Sequence, residues 1–313
     1  MRNFSKSNYL SKQGRNNATP ARERLTGTAS RIRKIQHFVP IPADVFSFLE
    51  RNECIPVGIG SRHLVVRWMA AEGTYFQDPL FRNTLGRLRG RTPPVLELET
   101  EIDVLTTLAG TADLRPPAAV VVHFSRCGST LLMNALRKAL DVTCLAEPQP
   151  FDGALELIAS RSGAESARGR RVMECLASRY AAHCRAGKSN AIVVKFGSRG
   201  MFRMRALRLV WPNVLCIVMI RNPAEVVHSN LTKPPRWITH AFKNPISFGL
   251  PSPPPDVYDA GIEAFIAWYL GLSATEALAS FDSNCRVVDY EDLTVATISQ
   301  IVDMCGLQTS SSF

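Results

Sequence analysis

The stretch "FSRCGSTLL", residues 124–132, sets small and polar residues between an apolar run and an apolar pattern with helical spacing. The backbone N–H groups that open the predicted helix, together with the helix dipole, form a site for an anion. Gly128 lets a ligand approach the backbone closely. The stretch therefore predicts a loop that binds phosphate or sulfate. Its candidate binding residues are Ser125, Arg126, Cys127, Gly128, Ser129 and Thr130.

This loop differs from the phosphate loop of nucleoside triphosphate hydrolases, G-x-x-x-x-G-K-[ST], because no lysine follows Gly128. An aspartate placed to hold Mg²⁺ after a strand is not evident either. Arg126 offers a different cation, a planar guanidinium that suits phosphate or sulfate. We interpret Cys127 as a small filler rather than a nucleophile. A tight turn from strand to helix with no binding role is the alternative.

A second motif, "IRNPAEVVHSNL" at residues 220–231, follows an apolar run about ninety residues later. Arg221 ends the run, and Pro223 stands near a predicted helix start. Ser229 comes two helical turns further on, so its hydroxyl can share a face with the guanidinium. Arginine and serine together can hold one phosphate. The alternative is a surface arginine and an ordinary helical serine.

These motifs belong to a series of strand-like runs that alternate with helical ones. The five runs are "AAVVVHF" (118–124), "VTCLA" (142–146), "NAIVVKF" (190–196), "VLCIVMI" (214–220) and "NCRVVDYEDL" (284–293). This alternation predicts an α/β fold with three layers, a parallel sheet with helices on both faces. Glu147 follows the second run, and Lys195 ends the third. Ligands of such sheets bind at the carboxyl ends of the strands, where the candidate residues converge.

We predict three regions in the 313 residues: a disordered basic tail (1–37), an α+β preface packed on the core (38–115), and the α/β domain (116–313). "LRPP" at 114–117 marks the second boundary. Residues 233–256 are rich in proline and lack periodicity, which predicts a long loop that is either functional or disordered. We expect it to cover a pocket with Arg236, Trp237, His240 and Phe242. The preface contains no chemistry beyond packing.

The formal net charge of +10 belongs mostly to the tail, whose nine Lys and Arg residues against one acid leave the body near +2. We therefore expect no nucleic-acid partner for the body. The tail composition predicts disorder, and it also fits a transit peptide. No apolar run reaches the ~18 residues of a membrane span. The eight cysteines form no C-x-x-C pair, which indicates a reducing compartment, the cytoplasm.

The loop and the second motif in this order, together with "VVDYEDL" at 287–293, resemble the sulfotransferase family that uses 3′-phosphoadenosine 5′-phosphosulfate (PAPS). The resemblance covers about 118–307, and it is greatest to bacterial sulfotransferase-like proteins whose loop reads S-R-C-G-S-T. It implies a P-loop NTPase-like fold in which the loop holds the 5′-phosphosulfate. Arg221 and Ser229 would then hold the 3′-phosphate. Lys195 would be the catalytic lysine at the bridging oxygen.

The same resemblance implies a base for the acceptor. Glu147 lies where tyrosylprotein sulfotransferases have a glutamate, and we predict that it takes the acceptor proton. His123 and His228 are weaker candidates. Gly197 stands where small-molecule sulfotransferases have a histidine, and the late basic R-K-G segment of that branch is missing.

The sequence thus predicts in-line sulfuryl transfer from PAPS, without a metal, to a hydroxyl or amine of a small molecule, carbohydrate or peptide. Two alternatives stay open: a P-loop kinase of a small molecule, and a protein of this fold that binds its nucleotide without turnover. The identity of the acceptor and the oligomeric state do not follow from the sequence.

Overall fold

A computed structural model describes residues 44–60, 64–109, 114–140, 142–160, 162–184 and 191–307. The predicted basic tail lies outside the described residues.

The region before the main sheet forms a small antiparallel sheet with three helices among its described residues. Its elements are α1 (Val45–Arg51), β1 (Cys54–Gly60), β2 (Val65–Ala70), α2 (Phe81–Arg89), β3 (Glu97–Glu101) and α3 (Ile102–Leu108). The strand order is β1-β2-β3. Within this region, "IPADVFSFLERN" has helical spacing and contains α1, and the apolar run "HLVVRWM" contains β2.

The second sheet consists of the five predicted strands. These are β4 (Ala119–His123), β5 (Thr143–Ala146), β6 (Ile192–Lys195), β7 (Leu215–Ile220) and β8 (Cys285–Asp289). They lie in the order β5-β6-β4-β7-β8, and each neighbouring pair is parallel. The predicted parallel α/β fold is confirmed.

Helices connect these strands and follow them. They are α4 (Ser129–Ala139), α5 (Gln149–Ser160), α6 (Gly163–Cys184), α7 (Arg199–Phe202), α8 (Met204–Val210), α9 (Pro223–Thr232), α10 (Arg236–Lys243), α11 (Pro255–Asp259), α12 (Ile262–Leu278) and α13 (Val295–Met304). None of the helices among the described residues is both long and apolar enough to cross a membrane.

Side-chain alternation along β4 divides the core between the two faces of the sheet. Val120 and Val122 join the cluster formed with α5, α6, α8 and the three-stranded sheet. Ala119 and Val121 join the cluster formed with α4 and α13. Because β4 is apolar on both faces, it is buried along its whole length, and helices cover the sheet on both sides.

The path of the chain leaves a crevice at the carboxyl end of β4. From β4 the chain runs to β5 and β6 on one side, and then returns past β4 to β7 and β8 on the other. Ligands of open parallel sheets bind where the direction of strand addition reverses in this way. The loop at 124–128 leaves β4 at that point.

The three-stranded sheet packs against α5 and α6. Tyr180 of α6 donates a hydrogen bond to the carbonyl of Pro56, and Arg179 donates to the carbonyls of Leu49 and Cys54. One hydrophobic cluster includes residues of both sheets. The domain boundaries near 37 and 115 stay predictions.

Two segments differ from expectation. The spacing of "GMFRMRALRLVWP" predicts one short basic helix, but the segment forms two helices, α7 and α8, which are separated at Arg203. The proline-rich segment contains α10, a 3₁₀ turn at Ile246–Phe248 and the start of α11. The helix α10 has only eight residues and buries Ile238 and Ala241 on one face. Two apolar positions among prolines are too few to show a helical periodicity in the sequence.

Gly153 lets α5 approach β1, and this contact predicts opposite effects for two glycine substitutions. A Cβ at Gly153 would lie 2.8 Å from the backbone oxygen of Ile59, whereas one at Gly271 of α12 meets nothing within 4 Å. We expect Gly153→Ala to lower the free energy of unfolding by about 1–3 kcal/mol. Gly271→Ala should raise it by about 0.5–1 kcal/mol, because alanine favours a helix. Urea unfolding measures both, and a neutral or stabilising Gly153→Ala would contradict the described packing.

Candidate active site

A cleft of about 920 Å³ opens at the carboxyl ends of the parallel strands. All ten residues that the sequence singled out as site residues line it. They are Ser125, Arg126, Cys127, Gly128, Ser129, Thr130, Glu147, Lys195, Arg221 and Ser229. The parallel sheet thus brings together four segments that are up to about a hundred residues apart in the chain.

The loop between β4 and α4 is held from beneath by three hydrogen bonds. The Phe124 N–H donates to the carbonyl of Met219 on β7, at 3.2 Å. The Ser125 hydroxyl donates to Oδ1 of Asn230 at 3.0 Å, and the Cys127 thiol lies 2.7 Å from the Phe124 carbonyl. Burial raises the pKa of Cys127 to about 12, so the thiol stays neutral and serves packing.

The top of the loop leaves the first N–H groups of α4 without a side-chain cap. Gly128 precedes the helix with φ +76°, and Arg126 has φ +62°. A Cβ at Gly128 would lie 2.6 Å from the ring of Tyr290, so glycine is needed for space as well as for conformation. Uncapped N–H groups and the positive end of the helix dipole favour an anion here.

Arg221, which directly follows β7, braces the same loop. Its guanidinium donates to the carbonyl of Arg126 at 3.2 Å, pairs with Glu225 at 2.6 Å, and lies 4.5 Å from the centre of the Tyr290 ring. Ser229 of α9 lines the cleft nearby. The sequence singled out "VVDYEDL" only as a recurring element. The structure places its Tyr290 between the loop glycine and Arg221, immediately after β8.

Lys195 and Glu147 form an ion pair at the floor of the cleft. The Lys195 ammonium is 1% exposed, lies 3.0 Å from Oε1 of Glu147 and donates to the Thr130 hydroxyl at 3.4 Å. Glu147 has φ +58°, and its N–H donates to the Lys195 carbonyl at 2.7 Å. Burial alone would raise the pKa of Glu147, but the charge of Lys195 and its hydrogen bond, together with His123, hold that pKa below its usual value.

His123 lies buried beside this pair. Its Nδ1 faces the Phe124 carbonyl at 2.8 Å, and its Nε2 has no hydrogen-bond partner among the described residues. Burial and the nearby Lys195 charge lower the pKa of His123 to about 4, so the imidazole is neutral at pH 7. His228, the other histidine considered, is exposed on α9 and is not among the described residues that line the cleft.

The sequence did not single out Asp152, in the first turn of α5. Its Oδ2 lies 3.8 Å from the position of a Cβ at Gly197. Burial raises the pKa of Asp152 to about 6, against the lowering effect of Arg199 and Arg203, while Glu147 and Glu156 raise it further. The available sequence signal was a carboxylate shortly after a strand end, which is common in helix starts.

The proline-rich segment supplies one side of the cleft. Of the residues expected there, Arg236 and Trp237 line it, whereas His240 and Phe242 are not among its lining residues in the described part. Phe248 of the same segment also lines the cleft, 5.3 Å below the Arg199 guanidinium.

Positive charge dominates the cleft. Seven cationic side chains line it, namely Arg82, Arg126, Lys195, Arg199, Arg221, Lys233 and Arg236. Glu147 and Asp152 are the two carboxylates among its described lining residues. In residues 44–307 as far as they are described, no group of three or more His, Cys, Asp or Glu side chains is arranged to hold a metal ion. The cleft suits a ligand that carries several negative charges.

Comparisons with known proteins give solved structures only. No family model and no curated protein matches the chain. A sulfotransferase from Alicyclobacillus acidocaldarius is similar at 16% identity and a TM-score of 0.38, over 62% of this chain and 82% of that one. The sulfotransferase domain from the curacin biosynthetic pathway is similar at 14% identity and a TM-score of 0.37, over 63% of this chain and 77% of that one. Identities and TM-scores this low do not show an activity for this chain.

The contact between Gly128 and Tyr290 predicts a coupling between the loop and the turn after β8. We expect Gly128→Ala to destabilise the fold by the cost of φ > 0, about 1–2 kcal/mol, and by the clash with the ring in addition. Gly73→Ala is the matched control, because Gly73 has φ +61° and open space around it.

Adding Tyr290→Ala to Gly128→Ala should remove the clash. The free energy of unfolding of the double variant should then exceed the value expected from adding the two single effects by about 0.5–3 kcal/mol. Thermal or urea unfolding of the four proteins measures this coupling. Strict additivity, or equal effects of Gly128→Ala and Gly73→Ala, would contradict it.

Proposed function

We propose that this protein is a sulfotransferase that moves the sulfuryl group of PAPS to a hydroxyl or amine acceptor by in-line transfer. The observation that carries the proposal is the composition of one cleft. The cleft combines a glycine loop at an uncapped helix start, a buried lysine and an arginine directly after β7. Cationic side chains greatly outnumber carboxylates in its lining. A donor with a phosphosulfate and a separate 3′-phosphate needs several cations at two places.

The residues present suit such a donor. The N–H groups at the start of α4 and the guanidinium of Arg126 are suited to the phosphosulfate. Arg221 and Ser229, which line the cleft beside the loop, are suited to the 3′-phosphate, and the Tyr290 ring supports the guanidinium of Arg221. Arg221 pairs with Glu225, so binding of the 3′-phosphate would compete with that pair.

PAPS supplies an activated sulfuryl group, and the protein has to stabilise the charge that leaves with the bisphosphate. The acceptor oxygen forms a new bond to sulfur while the bond from sulfur to the phosphate oxygen breaks, and its electron pair leaves with adenosine 3′,5′-bisphosphate. Lys195 is our candidate to stabilise that oxygen, and the position of its buried ammonium at the end of β6, beside Thr130 of the loop, supports this role.

Glu147 is our candidate for the proton acceptor. Its pKa lies below the usual value, so the carboxylate is ionised at neutral pH and ready to take the proton of the acceptor. The ion pair with Lys195 links proton acceptance by Glu147 to stabilisation of the leaving oxygen. When the ammonium turns towards the leaving oxygen, it releases the carboxylate of Glu147. We propose a cytoplasmic location, on the basis of the cysteine pattern of the sequence.

A P-loop kinase is the second enzymatic candidate, and a protein of this fold that binds nucleotide without turnover is the third. The missing lysine after Gly128 argues against the kinase. A kinase would bind ATP with Mg²⁺, whereas a sulfotransferase would bind adenosine 3′,5′-bisphosphate. The absence of any transfer to a broad set of acceptors would favour the third candidate.

Binding of the donor product predicts a shift in thermal stability. Adenosine 3′,5′-bisphosphate without Mg²⁺ should raise Tm, because a ligand that binds only the folded state stabilises it by mass action. Arg221→Ala should remove most of that shift. Arg286→Ala, which removes an exposed arginine of β8, should keep it. The proposal fails if ATP with Mg²⁺ shifts Tm and the bisphosphate does not.

The ionisation of Glu147 predicts the pH dependence of turnover. Because its pKa is lowered from 4.5, kcat at saturating acceptor should stay level as the pH falls through 6, and decline only below pH 4.5. Glu147→Gln should lower kcat by about 10²–10⁴-fold and leave bisphosphate binding intact. Steady-state rates with labelled PAPS measure both. A decline of kcat with a midpoint near pH 6 would assign the proton to another group.

A further inference from the structure

A second chamber adjoins the cleft and has no part in donor binding as proposed above. Its volume is about 390 Å³, and it lies between α5 and the strands of the antiparallel sheet. The two cavities share three lining residues, Gln149, Asp152 and Arg199. The chamber therefore borders the cleft at these three residues.

Asp152 stands at this junction without a fixed partner. The described residues give its carboxyl neither a hydrogen bond nor an ion pair, although Arg199 and Arg203 are close enough to affect its pKa. Its Oδ2 lies beside Gly197, two residues after Lys195, where glycine leaves the space open. Asp152 is mostly buried but lines both cavities, so its oxygens can accept hydrogen bonds from a ligand there.

The chamber is polar. Charged groups come from three sides: Glu156 of α5, Arg199 of α7, and the ion pair of Arg67 with Glu99, at 3.2 Å, from the antiparallel sheet. Ile59 and Val65 are the larger apolar side chains among its described lining residues, and that lining contains no aromatic ring. A phenol or a fatty alcohol would bury little apolar surface here, whereas a molecule with many hydroxyl or amino groups finds partners throughout.

We propose that this chamber is the acceptor subsite, that it takes a small polyhydroxylated or amino-sugar acceptor, and that Asp152 positions the acceptor by accepting its hydrogen bonds. The inference rests on the proposed sulfuryl transfer, because it assigns the acceptor side of that reaction. The volume is at the small end of the range of about 300–1,000 Å³ for small-molecule pockets. Asp152 is a positioning residue here, and the proton still goes to Glu147.

The ionisation of Asp152 adds a signature that packing alone would not produce. The groups that face it are Arg199 and Arg203, which lower its pKa, and Glu147 and Glu156, which raise it. Burial is the largest influence and raises the pKa of Asp152 to about 6. The ionised carboxylate only accepts hydrogen bonds, and protonation removes part of that capacity. Acceptor KM should therefore rise as the pH falls through about 6, while kcat stays level.

The experiment uses labelled PAPS with D-glucose, D-glucosamine, phenol and 1-octanol as acceptors. We expect transfer to one or both sugars. Asp152→Asn, which keeps the shape of the side chain, should raise the KM of that sugar about tenfold or more, because it removes a charged hydrogen-bond partner. Its kcat and donor KM should stay within about twofold of wild type. Asp303→Asn, at an exposed position of α13, is the matched control and should change neither constant.

Transfer to phenol or octanol in preference to the sugars overturns the proposal. It is also overturned if Asp152→Asn lowers kcat and leaves the KM of the sugar unchanged, or if the wild-type KM is independent of pH between 5 and 8. If no acceptor is sulfated, ligand-observed NMR with glucosamine and the bisphosphate-loaded protein decides, and an absence of binding overturns it.

The same proteins separate this inference from the proposed function. The Tm shift with adenosine 3′,5′-bisphosphate is measured for wild type and Asp152→Asn. A shift in both, with no effect of the variant on the sugar, leaves the donor assignment standing and rejects the acceptor subsite. No shift in either rejects both proposals together.

Discussion

The buried ammonium of Lys195 is the constraint on which the site depends. A charge that is 1% exposed is costly unless it is paired and hydrogen-bonded, and Glu147 and Thr130 supply both partners. These partners come from the end of β5 and the start of α4, on either side of β6. The strand order β5-β6-β4 therefore cannot change without leaving the ammonium unpaired.

The same arrangement explains the unusual backbone around the cleft. Glu147, Arg126 and Gly128 all have positive φ, and all three lie where a strand gives way to a turn that lines the cleft. Local strain of this kind persists only where the surrounding structure fixes it. Here the β6 carbonyl of Lys195 holds Glu147, and the Arg221 guanidinium holds the Arg126 carbonyl. Arg221 thus fixes the conformation of the loop and also adds positive charge beside it.

The strands and the convergence of the site residues were predictable from sequence, because a parallel sheet buried on both faces has continuous apolar runs with polar residues at one end. Asp152 was not predictable as a cleft residue, since a carboxylate in a first helical turn is ordinarily a favourable partner of the helix dipole. Its position in the lining of two cavities depends on the tertiary packing of α5 beside β1, which no local sequence pattern shows. Likewise, the contact of Tyr290 with Gly128 joins residues far apart in sequence, and no local pattern encodes it. The helix α10 was not predicted, because eight residues are too few to show a clear helical periodicity.

The proposed donor assignment depends on one central claim, that the cationic cleft recognises a separate 3′-phosphate. Calorimetric titration without Mg²⁺ tests this claim most directly, with adenosine 3′,5′-bisphosphate compared with ADP. Both ligands carry adenosine and two phosphates, and they differ in whether one phosphate is on the 3′ oxygen. The bisphosphate should bind at least about tenfold more tightly, the value of one charge-assisted contact or more. Equal affinities, or tighter binding of ADP, would contradict the account.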